Sequence, residues 1–161
     1  MKLRNIIAVL GVIVTGLLFF YAGIGKTENP SAFFFVLEEY HLNWPLGYIY
    51  LVTAILPAVE IGLGLAILVN LVISHRFYRY LTLGTGVALL SVFIAFMLWA
   101  LAHGDLFGCG CFGDFGSRLS WWDVLRDGIF ILLALAGFLA PTRPIYCRSE
   151  ASVVKQFKEG E

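Results

Sequence analysis

The chain has 161 residues, about the length of a single domain, of which 60% are hydrophobic and only 14% charged. A water-soluble fold with this composition and a mean hydropathy of +0.85 would lack the polar residues to cover itself, so a lipid bilayer is its natural solvent. Eleven basic residues balance eleven acidic ones, which leaves no basic field to attract nucleic acid, and three cysteines are too few for a disulfide scaffold.

Four apolar segments, each near or above the ~20 residues that cross a bilayer, predict an all-α, polytopic membrane protein. The fold expected is a four-transmembrane-helix bundle. The first segment, about 5–25, has no charge between Arg4 and Lys26. Its flanking Lys2 and Arg4 also suit a signal peptide, but the run is long for one and lacks an A-x-A cleavage site, so it is read as a retained helix. Asn29-Pro30 then reads as a helix cap with proline at the first helical position, opening a short interfacial helix outside the bilayer. The second segment, about 45–73, contains Pro57 and a single charge, Glu60; the third, about 81–102, is uncharged. Small residues Gly62, Gly64, Gly84, Ala88 and Ala95 are candidates for close helix approach. Ser120-Trp121-Trp122-Asp123 is a capping box that opens the fourth segment, about 121–140. Residues 1–145 thus form the membrane domain and 146–161 a polar tail.

Eight of the eleven basic residues (Lys2, Arg4, Arg76, Arg79, Arg143, Arg148, Lys155 and Lys158) fall on the side that holds both termini. The excess of positive charge predicts that this side is cytoplasmic. Trp44, Trp99, Trp121 and Trp122 all fall at the opposite ends of the segments, where an indole suits the headgroup level.

The strongest chemical signal is Gly108-Cys109-Gly110-Cys111-Phe112-Gly113, in the connection between the third and fourth segments. On this topology the two thiols face the outside, an oxidising periplasm in a bacterium. A disulfide between residues i and i+2 is tight, Gly110 relieves part of the constraint, and a strained bridge is easily reduced. So short a loop gains little from stapling. The pair therefore reads as a thiol–disulfide exchange site, with an inert disulfide or idle thiols as the plainer account. A metal site of His103, Cys109 and Cys111 is a further alternative, one ligand short of a closed zinc site. The segment around the pair is rich in glycine and aromatics. It reads either as an interfacial loop anchored by its aromatics or as a lid that presents the thiols to a protein or holds them beside a lipid-soluble redox partner such as a quinone, with Phe112, Phe115, Trp122 and Lys26 as candidate contacts. Cys147 falls on the cytoplasmic side, away from the pair.

Glu60 costs ~3 kcal/mol or more at mid-membrane unless it is neutralised or paired. Arg126, two turns into the fourth segment, is its first candidate partner, in competition with Asp123 and Asp127; Lys26 is the second. Either a structural ion pair or a group that passes protons to a thiolate or reduced quinone fits these residues.

The ordered set Gly23-Ile24-Gly25-Lys26, Asn29-Pro30, Leu56-Pro57-Ala58-Val59-Glu60, Cys109-Gly110-Cys111-Phe112-Gly113 and Arg126-Asp127 resembles the MauE branch of the DoxX-like membrane proteins. The resemblance implies a protein of the bacterial inner membrane that helps to mature a disulfide-rich periplasmic client, alongside a thioredoxin-like protein. In the namesake system the client is the small subunit of methylamine dehydrogenase. The DoxX relatives add a link to quinone-coupled sulfur redox chemistry. Quinone-linked disulfide generators of the DsbB or vitamin K epoxide reductase type use two cysteine pairs, whereas this chain has one outward pair. The pair then either serves client and quinone in turn, or exchanges with an external thioredoxin-like domain, or does not turn over. A non-enzymatic assembly or transport factor is the reading from a different class.

Overall fold

The computed structural model describes residues 2–39, 44–73, 75–103 and 119–138, with side chains from Ile6 onward. Five helices account for nearly all of them: α1 (Lys2–Glu28), α2 (Pro30–Glu39), α3 (Leu46–Val69), α4 (Arg76–His103) and α5 (Trp121–Phe138). The apolar segments are therefore helical, as expected, but their ends differ. Helix α1 runs on through Lys26 and Glu28, and α4 begins at Arg76 rather than near Leu81. Backbone hydrogen bonding continues through charged residues, whose long stems can lie along apolar surface while the heads reach water. Helix α3 stops earlier, at Val69 instead of Ile73. Its C-cap Asn70 donates from Nδ2 to the carbonyls of Ala66 and Ile67, both at 3.1 Å, and to Thr82 Oγ1 at 2.8 Å. These bonds occupy the last carbonyls of α3 and tie the turn to α4. Helix α3 passes Pro57 without a break.

The local signals at the other helix starts hold. The Asn29 carbonyl accepts from Phe33 N–H at 3.2 Å, with Pro30 as the first residue of α2. At the start of α5, Asp123 Oδ2 accepts from Ser120 N–H at 3.0 Å, the reciprocal bond of a capping box.

Helices α1, α3, α4 and α5 pack as a ring in that order, each antiparallel to its neighbours, and α2 lies across one end. The ring closes because α1 packs against both α3 and α5, and α4 against both α5 and α3. One buried stripe at helical spacing builds α1: Ala8, Val12, Thr15, Phe19, Ala22 and Lys26. Val12 and Phe19 join Leu63, Ile67, Leu83 and Leu90 in the central core, while Val36 of α2 joins Met97, Ala100 and Leu119 in a second cluster at the α2 end.

The seam between α1 and α3 brings backbone against backbone, as does α1 against α5 at Gly11, where a Cβ would meet the Leu133 carbonyl oxygen. A Cβ on Gly64 would lie 2.6 Å from the Phe20 backbone nitrogen and 2.7 Å from the Gly16 carbonyl oxygen. One on Gly23 would lie 2.8 Å from the Pro57 carbonyl oxygen. Of the small residues singled out from sequence, only Gly64 works in this way. Gly62 and Gly84 have open space, and Ala88 and Ala95 are exposed. Composition identifies small residues but not which face of a helix they occupy.

Three helical stretches, Ile6–Glu28, Leu46–Val69 and Arg76–His103, are long and apolar enough to cross a membrane. Their outward faces carry Leu10, Leu17, Leu51, Ile55, Leu65, Val92 and Leu98, a surface suited to lipid. Helix α5 is shorter, at 18 residues, and carries Asp123, Arg126 and Asp127. Trp44, Trp99, Trp121 and Trp122 are exposed at the α2 end.

Because the α1–α3 seam brings backbone against backbone, Gly64→Leu is expected to cost about 1–3 kcal/mol or more, lowering the thermal unfolding midpoint in detergent. Gly62→Leu faces open space and leaves the midpoint unchanged. Equal midpoints for the two variants would contradict the seam.

Candidate functional site

The internal stripe of α1 ends on a cation. Lys26 lies in the last turn of that helix, where a positive charge complements the helix dipole. Across the α1–α3 seam the stripe of α3 presents Glu60 between Pro57 and Leu63. Lys26 Nζ donates to both carboxylate oxygens of Glu60, at 2.6 Å and 2.8 Å, and the two side chains are 1% and 0% exposed. The rings of Phe33 on α2 and Phe93 on α4 stand 5.6 Å and 5.2 Å from the ammonium, within cation–π range. The pair is thus enclosed by three further helices: α2 and α4 supply aromatic faces, and α5 supplies Asp127.

Asp127 is the second buried acid, with a side chain 3% exposed. It faces the same cavity as Lys26 and Glu60, walled by Phe19, Leu90 and Phe93, with room for a single water at most. Arg126 Nε donates to Asp127 Oδ1 at 3.3 Å, and Arg126 Nη1 pairs with Asp123 Oδ1 at 3.2 Å. The Arg126 side chain is 36% exposed. Exposure of the charged groups therefore falls from Arg126 and Asp123 at the surface, through Asp127, to the Lys26–Glu60 pair.

Glu60 pairs with Lys26 rather than with Arg126, its first candidate from sequence. Helix geometry explains the change. Consecutive helical residues point about 100° apart, so once Asp127 turns inward Arg126 cannot. In the ring α3 adjoins α1 and α4, with α5 on the opposite side. The missed signals are the buried stripes themselves: Ala8, Val12, Thr15, Phe19, Ala22 on α1, and Ala134 and Gly137 on α5, extend at helical spacing to Lys26 and to Asp127.

Of the other candidate residues, Trp122 is 75% exposed in the first turn of α5. The His103 ring stacks on Trp99 at 4.1 Å, with Nδ1 2.9 Å from the Trp99 carbonyl oxygen. Cys109, Cys111, Phe112, Phe115 and Cys147 lie outside the described residues. Among the described residues no three His, Cys, Asp or Glu side chains converge as metal ligands.

Replacing a buried ion pair by apolar residues is often close to neutral, whereas removing one partner strands a charge. Lys26→Met is accordingly expected to lose about 3–5 kcal/mol of stability, and Lys26→Met combined with Glu60→Leu to regain most of it, read as thermal unfolding midpoints in detergent. A Lys26→Met variant as stable as the parent would contradict the pair.

Comparison with known proteins gives one family. The family model described as "Methylamine utilisation protein MauE" matches residues 3–140. No curated protein and no solved structure matches the chain. The family match runs from the first turn of α1 to just beyond α5 and takes in both sides of the buried ion pair: the chain belongs to the MauE family.

Proposed function

We propose that this protein is a thiol–disulfide maturation factor of the bacterial inner membrane that acts on disulfide-containing periplasmic clients. Its working pair is Cys109–Cys111, and Lys26–Glu60 serves as its proton-handling group. The family description names methylamine utilisation, so a protein matured for that purpose, or a thioredoxin-like carrier serving it, is the client class of choice. In this reading α5 forms a fourth crossing, both termini are cytoplasmic, and α2 lies in the outer interface.

One observation carries the proposal. The segment that bears Cys109 and Cys111 leaves α4 at His103 and returns to α5 at Leu119, and Leu119 packs with Val36 of α2 and with Met97 and Ala100 of α4. This is the end of the bundle at which Phe33 of α2 covers the buried Lys26 ammonium. The described residues that flank the Cys109-Gly110-Cys111 motif, His103 and Leu119, thus sit at the end of the bundle that holds the sole buried ammonium–carboxylate pair of the described residues, which supports a shared role for the two.

In the forward direction a client thiolate attacks one sulfur of the Cys109–Cys111 disulfide. The bridge opens to a mixed disulfide, and the released thiolate takes a proton. The second client thiolate then attacks the mixed disulfide, so the client leaves as its disulfide and the pair as a dithiol. Two electrons have passed from client to pair. Reoxidation gives two electrons and two protons to a quinone, which becomes quinol. Glu60, backed by Lys26, supports these proton movements as a general acid–base group. The cavity at the pair admits one water, so a quinone ring would be met at the aromatic outer surface around Trp121 and Trp122.

The test is a Cys109→Ser/Cys111→Ser variant in cells that make the client. Client disulfides are expected to be lost or strongly delayed. A membrane-impermeant maleimide is expected to label the parent protein only after reduction. Normal client disulfides in the variant, or labelling solely from the cytoplasmic side, would overturn the proposal.

A further inference from the structure

The charges that face the cavity do not balance: the other buried cation of the described residues, Arg79, lies in the first turn of α4, at the opposite end of the bundle. The charged groups that face the cavity, taken helix by helix among the described residues, are Lys26 from α1, Glu60 from α3 and Asp127 from α5; α4 contributes the uncharged Leu90 and Phe93, and from α2 the Phe33 ring stands over the ammonium. Glu60 takes the single buried ammonium with both oxygens. Asp127 is left with Arg126, the residue next to it in sequence, at 3.3 Å. That distance is long for a charge-assisted bond, and Arg126 is one-third exposed and shared with Asp123. The buried part of the cluster thus holds two carboxyl groups for one cation, beside a water-sized cavity with apolar walls.

We infer that Lys26, Glu60 and Asp127 form a proton-binding site within the bundle that holds one proton between the two carboxyl groups. A proton fits where a metal ion does not: both Glu60 oxygens are engaged, and among the described residues no third acid, His or Cys joins the two carboxyl groups. The route for exchange is the gradient of exposure along α5, from Asp123 and Arg126 at the surface to Asp127 and then through the cavity that Asp127 shares with Glu60, which has room for one water. Asp127 is in this scheme the link between solvent and the Lys26–Glu60 pair. The site deepens the thiol–disulfide reading by giving its proton transfers a store, yet its existence does not require the cysteines.

The experiment uses the full chain carrying Cys109→Ser/Cys111→Ser, reconstituted in lipid nanodiscs, so that its failure is separate from failure of the thiol chemistry. Infrared difference spectroscopy is expected to reveal at neutral pH a protonated-carboxyl C=O band that shifts in D2O. The band should disappear in Asp127→Asn or in Glu60→Gln, and Asp123→Asn should slow its exchange with D2O several-fold. If neither isosteric variant folds, the cysteine-free parent decides by the presence and D2O shift of the band. Absence of the band, survival of the band in both folded variants, or its loss on adding sodium at fixed pH would each overturn the inference.

Discussion

The buried bond between Lys26 and Glu60 constrains the rest of the molecule. An ammonium or a carboxylate alone in the bundle interior would be expensive, so each requires the other within hydrogen-bonding distance. That requirement fixes how α1 slides along α3. The same register sets Gly16 against Gly64 and Gly23 against the Pro57 carbonyl, where no side chain could fit. Close backbone approach and charge pairing therefore depend on each other. Helix α2 completes the arrangement: the Asn29-Pro30 break turns the chain directly after α1, bringing Phe33 over the ammonium that α1 has just delivered.

The outer surface follows a different logic. Leu, Ile, Val and Phe side chains point away from the ring on every side, and the tryptophans gather at the α2 end, as in a multi-pass membrane protein of the MauE family. Against that apolar exterior, the charged interior has a specific cost that a simple lipid-facing bundle would not carry. Buried ion pairs contribute little net stability compared with apolar replacements. Proton chemistry, not bracing alone, is the role proposed for this pair, with a second acid beside it and an acidic and basic surface leading towards it. In the proposed function this chemistry serves the outward Cys109–Cys111 pair.

Much of the fold was readable from sequence because the bilayer and the capping motifs impose local rules. Apolar runs located α1, α3, α4 and α5, Asn29-Pro30 located α2, and Ser120 with Asp123 marked the start of α5. Helix ends were less readable, since Arg76, Lys26 and Glu28 break an apolar run without breaking hydrogen bonding, whereas Asn70 ends α3 while the sequence is still apolar. The site was half readable. Glu60 stood out as a lone charge in an apolar segment, but its partner depended on which helices are neighbours in the ring. Lys26 reads from sequence as a helix-end charge and Asp127 as a competitor for Arg126, although their spacing from the small and apolar residues of the same stripe puts them inside. The cysteine pair was recognised by motif, and the described residues leave it as a sequence argument.

The central claim is that the buried pair takes part in the chemistry of the thiols and does not merely brace the bundle. The most direct measurement is the rate at which a small dithiol reduces the Cys109–Cys111 disulfide in nanodiscs, compared between the parent and a Lys26→Met/Glu60→Gln variant whose charges have been removed together. Loss of a positioned acid–base group predicts a rate lower by roughly a hundredfold or more, with the thermal unfolding midpoint close to that of the parent. An unchanged rate in the folded variant would contradict the account and reduce Lys26–Glu60 to a structural brace.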